Sequence, residues 1–247
     1  MSTSFIVEAR MSSSRLPGKV LLKIKNKPIL AHLINRLKSF KKVKKIILAT
    51  TKNKSDDILE KFAKKNKLIV YRGSESKVAQ RVYLAAKKNG VKDIISITAD
   101  CPLIDLSIID QCFEIYRRNK AVFVTNSHYR SYPDGMDVQI FKTFSLGKAL
   151  KLAKTKKDLE HTTYVLRKYP KLFNTIHVIA PDYLNYPKLG LTLDEKEDFK
   201  LISKIILSLK KKKNFSCLDI IYFLNKNKSL KKINSNVKRN SYFLSYK

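Results

Sequence analysis

The sequence predicts an α/β fold: a mainly parallel sheet with helices on both of its faces. Short, almost uninterrupted apolar runs recur along the chain, as strands covered on both faces require. Between them lie stretches with apolar residues at helical spacing, and such alternation is the pattern of a doubly wound parallel sheet. The 247 residues are ample for one such domain with a sizeable core.

In chain order, strand-like runs fall at 5–10, 46–51, 68–71, 94–98, 121–125, 137–141, 174–179 and 190–193. Pro28 suits a first helical position, and Ile29, Leu30, Leu33, Ile34 and Leu37 follow at helical spacing. Ser55 is expected to cap a helix over 56–66, Glu75 or Ser76 to precede one over 77–89, and Asp105 to cap 106–119. Glu195 to Leu209 and 216–226 read as the last helices, joined by a linker from Lys210 to Asn214. The domain reading is a main unit over 1–209 and a lysine-rich helical tail over 210–247.

The chain holds 52 Lys and Arg against 20 Asp and Glu, a net charge of +32, which favours anionic partners. Residues 201–247 are the steepest part, with 12 basic residues against Asp219 alone. These are almost all lysine mixed with Asn, Ile and Ser, which reads as a solvated surface; Tyr242, Phe243 and Tyr246 would suit docking on the body. No RNP, KH or zinc-finger pattern accompanies the charge, so nucleic acid is disfavoured as a partner. Cys101, Cys112 and Cys217 form no C-x-x-C pair and no zinc spacing. Apolar runs fall far short of a ~20-residue membrane span, and the first residues lack a signal-peptide pattern. A cytoplasmic protein is expected.

Sheets of this kind bind ligands at the carboxyl ends of their strands. The loop after the first strand, EARMSSSRLPGKVL at 8–21, sets Arg10, Arg15 and Lys19 beside the hydroxyls and N–H groups of Ser12, Ser13 and Ser14. Such a loop suits a polyphosphate. Pro17 stiffens it and Gly18 permits close backbone approach. It is no Walker A loop: Ser13 replaces the required first Gly, and Val20 follows Lys19 where Ser or Thr is needed. Asp100 follows the run 94–98 and suits a Mg²⁺ ion that takes its other ligands from phosphate and water. Asp194, at the end of the run 190–193, could supply a second carboxylate; capping of the next helix is the alternative.

The string A-R-M-x-S-x-R-L-P-G-K-x-L after a strand resembles the signature of the cytidylyltransferases that activate sugars and sugar acids with CTP. The acylneuraminate and 3-deoxy-manno-octulosonate cytidylyltransferases belong there, and the similar branch is named after the spore coat polysaccharide biosynthesis protein SpsF. Further segments match in order: Tyr71-Arg72-Gly73-Ser74, Thr98 to Asp105, Tyr132-Pro133-Asp134-Gly135-Met136-Asp137, Glu160-His161-Thr162, and Leu193-Asp194 with Glu197-Asp198-Phe199. The resemblance implies a Rossmann-like three-layer nucleotidyltransferase fold and transfer of CMP from CTP to a sugar or sugar acid, for surface polysaccharide. It implies a catalytic set of Arg10, Lys19 and Asp100, and Mg²⁺ on Asp100 and Asp194. Thr192 stands where some relatives carry another acidic residue. Nucleotide contacts are expected from Ala9, Arg10, Ser12, Ser13, Arg15, Lys19, Thr50, Arg72, Ser74 and Arg81. The sugar side is expected at Asn126, Asp134, Asp137, Glu160 and His161, with Arg130 a further candidate. Relatives commonly dimerise through an excursion from the sheet, which 128–170 could supply, so a homodimer is expected.

Two rival readings stay open at this point. One is a glycosyltransferase, or a nucleotidyltransferase using another NTP, on the same fold. The other is a non-catalytic, basic RNA-binding protein, against which Asp100 and Asp194 argue because carboxylates oppose a polyanion unless a cation joins them.

Overall fold

Phe5, Ile6, Val7, Ile47, Leu48, Ile94 and Ile95 are fully buried, so the continuous apolar runs occupy the middle of one sheet. The structure, a computed structural model, describes residues 2–239 and the backbone of a short strand at Leu244–Ser245. Tyr242, Phe243 and Tyr246 lie outside the described residues.

The strands are β1 (Thr3–Glu8), β2 (Lys23–Ile24), β3 (Lys27–Pro28), β4 (Ile46–Thr51), β5 (Ile69–Gly73), β6 (Asp93–Thr98), β7 (Phe123–Thr125), β8 (Tyr129–Arg130), β9 (Gln139–Lys142), β10 (Thr175–His177) and β11 (Leu244–Ser245). The helices are α1 (Ile29–Lys38), α2 (Asp57–Lys65), α3 (Val78–Lys88), α4 (Leu106–Arg118), α5 (Thr143–Leu152), α6 (Lys156–Glu160), α7 (Tyr164–Lys168), α8 (Lys196–Ser208), α9 (Cys217–Lys226) and α10 (Lys228–Lys231). Seven strands form one sheet in the order β10-β7-β9-β6-β1-β4-β5. β9 runs antiparallel to both neighbours; the other pairings are parallel. A core lies on each face: Leu30, Leu33, Leu37, Ile108 and Ile109 help fill one, Val82, Ala85, Phe123, Phe141 and Leu166 the other. This is the Rossmann-like, three-layer fold that the sequence predicts.

Asp105 caps α4 as expected, accepting from Ser107 N at 2.8 Å, and its second oxygen accepts from Cys217 N at 2.6 Å. That bond ties α9 to the body. Cys217, Ile220 and Leu224 are fully buried in the same core as the sheet, and Arg36 lies 4.4 Å over the Phe215 ring. The three cysteines are free and buried. Among the described residues no helix is long and apolar enough to cross a membrane.

Two local expectations need correction. Ser55 caps nothing; a 3₁₀ turn at Lys54–Asp56 precedes α2, because Asp56 is drawn into hydrogen bonds with Thr50 and Thr51. The run 190–193 is no strand. Gly190 makes a single bridge to Asp134, and the backbone donors of the run then diverge: Leu191 N bonds Asp134 O at 2.7 Å, and Leu193 N bonds Asp100 O at 2.8 Å. Its bonds go to two different loops, so no ladder forms.

Candidate active site

The parallel strands end together, and the loops after β1, β4, β5 and β6 meet at their carboxyl ends. The β1 loop is closed on itself. Met11 O accepts from both Ser13 N (3.0 Å) and Gly18 N (2.9 Å), and Gly18 sits at φ 71, a conformation costly for any other residue. Asp56 anchors this loop from below, accepting from Met11 N at 2.8 Å, Thr50 Oγ1 at 2.9 Å and Thr51 Oγ1 at 2.6 Å.

Lys19 leaves the loop and turns inward. Its ammonium contacts Asp100 Oδ2 at 2.8 Å, Asp194 Oδ1 at 3.0 Å and the Leu193 carbonyl at 2.6 Å. Arg15 Nη2 reaches Asp194 Oδ1 at 2.8 Å. Burial opposes the charge on Lys19, but Asp100 and Asp194 outweigh it and raise the pKa. Asp100 mirrors this: burial would raise its carboxyl, yet the Lys19 charge and hydrogen bond hold it below its ordinary value. The sequence separates Lys19, as a phosphate contact, from the two carboxylates. In the folded chain they form one ion-paired cluster, because a buried carboxylate beside a half-buried one requires a cation.

The carboxylates of Asp100 and Asp194 are hard oxygen donors of the kind a magnesium-like ion takes, and the Lys19 ammonium occupies the point between them. Among the described residues no group of three or more His, Cys, Asp or Glu side chains forms a metal cage.

Arg10 and Ser12 face the β5 loop rather than each other. Arg10 Nη1 lies 3.6 Å from Glu75 Oε1, Ser12 Oγ donates to the same carboxylate, and Asn53 Nδ2 donates to its other oxygen at 2.7 Å. Glu75 therefore joins the loops after β1, β4 and β5. Arg81 is buried and donates to the Ser74 carbonyl at 2.5 Å; burial lowers its pKa and nearby Glu8 opposes that. Ser74 Oγ accepts from Lys77 N at 3.1 Å. Ala9 is buried, its N–H donating to Ala49 O at 3.2 Å.

Below these loops lies Glu8, at the end of β1. Burial pushes its carboxyl above the ordinary range, against hydrogen bonds from Ser96 Oγ (2.7 Å) and Thr162 Oγ1 (3.0 Å). On the far side of Asp100, Arg130 Nη1 contacts Asp137 Oδ1 at 3.0 Å and Asp134 Oδ1 at 3.2 Å. Burial raises the Asp137 carboxyl to about 7; Arg130 opposes the shift, while Asp134 and Asp100 add to it.

Several sequence candidates are committed elsewhere. Arg72 turns toward α2, pairing with Asp57 (2.6 Å) and Glu60 (2.9 Å) and donating to the carbonyls of Thr51 and Asn53 (both 2.8 Å). Thr50 is fully buried with its hydroxyl on Asp56. Asn126 is a backbone latch: it donates to Met136 O and accepts from Val138 N, both at 2.7 Å. Glu160 is exposed at the end of α6, and His161 follows outside the helix with its ring 6.4 Å from Tyr164. Arg72, Thr50 and Asn126 satisfy local helix or backbone demands, which a one-dimensional motif does not reveal.

Sequence reasoning passed over Glu8, Asp56, Glu75 and Arg239. Glu8 carried a signal, as an acid inside an apolar strand. Arg239 carried one too: it is the lone arginine in a segment whose other basic residues are lysine. Its guanidinium lies 2.5 Å from Asp198 Oδ1, 3.7 Å from Asp194 Oδ2 and 4.0 Å from Asp134 Oδ2.

A basic loop after β1 faces an acidic pair across the strand ends, an arrangement that suits a phosphate-bearing ligand. The family described as Cytidylyltransferase matches residues 4–229, and the chain belongs to that family; Asn234 and Arg239 lie beyond the matched stretch. An uncharacterised protein of Methanocaldococcus jannaschii is 37% identical over 242 residues, covering 96% of each chain. The spore coat polysaccharide biosynthesis protein SpsF of Bacillus subtilis is 28% identical over 229 residues, covering 90% of this chain and 94% of that one. A solved cytidylyltransferase from Leptospira borgpetersenii superposes with a TM-score of 0.89 at 32% identity, over 97% of this chain and 99% of its own. The protein is an enzyme of the cytidylyltransferase class.

Proposed function

We propose that the enzyme transfers CMP from CTP to a hydroxyl of a sugar or sugar acid, releasing pyrophosphate, and that the product feeds surface polysaccharide synthesis. The observation that carries this reading is the convergence of Lys19, Arg15, Asp100 and Asp194 beside the closed β1 loop. Likeness over nearly the whole chain to a spore coat polysaccharide biosynthesis protein supports the pathway.

The anomeric hydroxyl attacks the α-phosphorus, and the oxygen bridging to the β-phosphorus leaves with pyrophosphate. No covalent enzyme intermediate is needed. Arg10, Arg15 and the N–H groups of the β1 loop receive the triphosphate, with Ser12 and Ser13 adding neutral hydrogen bonds. Asp100 and Asp194 would hold Mg²⁺, which supplies charge neutralisation at the phosphates and a more acidic acceptor hydroxyl. Lys19 fixes the spacing of the two carboxylates. Glu75 joins the phosphate loop to the β5 loop, where Ser74, held by Arg81 of α3, forms the nucleoside side of the cleft. Asp134, Asp137 and Arg130 line the acceptor side, where ordered hydrogen bonds align the attacking hydroxyl.

The test is product analysis. Purified enzyme is given CTP, Mg²⁺ and a panel of neutral sugars and sugar acids, and products are weighed by mass spectrometry. A CMP adduct of one acceptor supports the reading. A nucleoside diphosphate adduct, or glycosyl transfer from a nucleotide-sugar, contradicts it.

A further inference from the structure

The 232–239 segment reaches the site by three separate contacts. Arg15 Nη1 donates to the Lys238 carbonyl at 3.3 Å, joining it to the β1 loop. Asn234 Nδ2 donates to the Gly190 carbonyl at 2.9 Å and to Asp198 Oδ1 at 2.7 Å. Arg239 Nη2 donates to the same Asp198 oxygen, and its Nη1 to Thr192 O at 3.3 Å.

Asp198 is the hub. It is fully buried, and its other oxygen accepts from Asp194 N and Glu195 N, both at 2.9 Å. A fully buried carboxylate is costly without a charged partner. Arg239 is that partner here, so the arginine holds Asp198 and Asp198 holds the backbone of Asp194. The guanidinium also stands between Asp194 and Asp134, the two walls of the cleft. Gly190 makes room for it: a Cβ there would lie 2.1 Å from Arg239 Nη2 and 2.4 Å from its Cζ.

We propose that this segment is a clasp on the active site, with Arg239 the positioning residue that sets Asp194 through Asp198. The proposal builds on the reading of Asp194 as a cation-holding carboxylate. The clasp makes the C-terminal segment part of the catalytic unit rather than an appendage.

The experiment compares full-length Arg239→Ala, Gly190→Ala and Asp194→Asn with the wild type. Gly190→Ala ejects the guanidinium while keeping the arginine, so it controls for Arg239→Ala failing to fold. The first readout is amide exchange at Asp194 and Glu195. Loss of a charge-assisted bond behind these amides should speed their exchange by about tenfold or more in both clasp variants. The second is calorimetric CTP binding with and without Mg²⁺. Loss of the group that orients a metal carboxylate should cut the Mg²⁺ enhancement by about tenfold. Unchanged exchange in the folded clasp variants overturns the proposal. Lost enhancement in Asp194→Asn with full enhancement in Arg239→Ala overturns the clasp alone. Full enhancement in Asp194→Asn overturns the reading of Asp194 and, with it, the positioning role.

Discussion

The Lys19 ammonium sits 2.8 Å from Asp100 Oδ2, inside the site rather than out on the β1 loop. The same nitrogen holds Asp194 at 3.0 Å, so one lysine bridges the two carboxylates, with Arg15 adding a second cation on Asp194. Removing the lysine takes from Asp100 its ion-pair partner and leaves that carboxylate beside Asp194 in a poorly solvated place. Lys19→Met should destabilise the fold by about 3 kcal/mol, the scale of a broken buried pair. The sign with pH follows from Asp100, whose pKa the lysine depresses against the effect of burial. The stabilisation is present above the ordinary carboxylate pKa and is lost as pH falls through the depressed value. Urea melts of both proteins at pH 7 and pH 3 check this: the gap between them should narrow in acid.

Asp100→Asn keeps the size of the side chain and removes its charge. Turnover should fall at least about 100-fold, because charge neutralisation at the phosphates supplies several kcal/mol of barrier and each ~1.4 kcal/mol is tenfold. Circular dichroism should be unchanged. Near-normal turnover with Mg²⁺ would remove Asp100 from the reaction.

Asp137 offers a test by pH. Its carboxyl is raised to about 7, by burial first and with help from Asp134 and Asp100 against Arg130. A raised acid favours the folded state while protonated, so stability from this group is lost as pH climbs from about 4 toward 7. Asp137→Asn removes the titration. Its stability gain over wild type should grow between pH 5 and pH 8, by on the order of 2 kcal/mol at ~1.4 kcal/mol per unit. A gain that is flat across this range would place the Asp137 carboxyl at an ordinary pKa.

Arg72 is a structural residue in this account, since its four contacts lie on α2 and the β4 loop. Arg72→Ala should cost about 1 kcal/mol of stability, as partly exposed ion pairs do. The dissociation constant for CTP should move less than threefold. A large loss of CTP affinity with stability intact would return Arg72 to the nucleotide site.

Much of the fold was legible because a parallel sheet writes itself as apolar runs: β4 spans Ile46–Thr51, the run read from the sequence. The capping residue Asp105 was a similarly local signal. The 190–193 run misled because its alternating Leu191 and Leu193 are buried like strand residues while their N–H groups bond separate loops. The site was legible as a set of residues and less so as an arrangement. That Lys19 pairs with Asp100, 81 positions away, is a tertiary fact. So is the convergence of Arg239 on Asp194, which depends on how α8, α9 and α10 return the chain to the cleft. Asn126 and Thr50 resembled ligand contacts because polar residues at strand ends look alike in one dimension, whether they serve a substrate or a neighbouring backbone.

The most direct measurement is pyrophosphate release with Mg²⁺, scanning CTP, UTP, ATP and GTP against the acceptor panel, with Asp100→Asn alongside. Release should depend on one acceptor, prefer CTP, and disappear in the variant. Equal use of the other nucleotides, or equal release by Asp100→Asn, would contradict the proposed function.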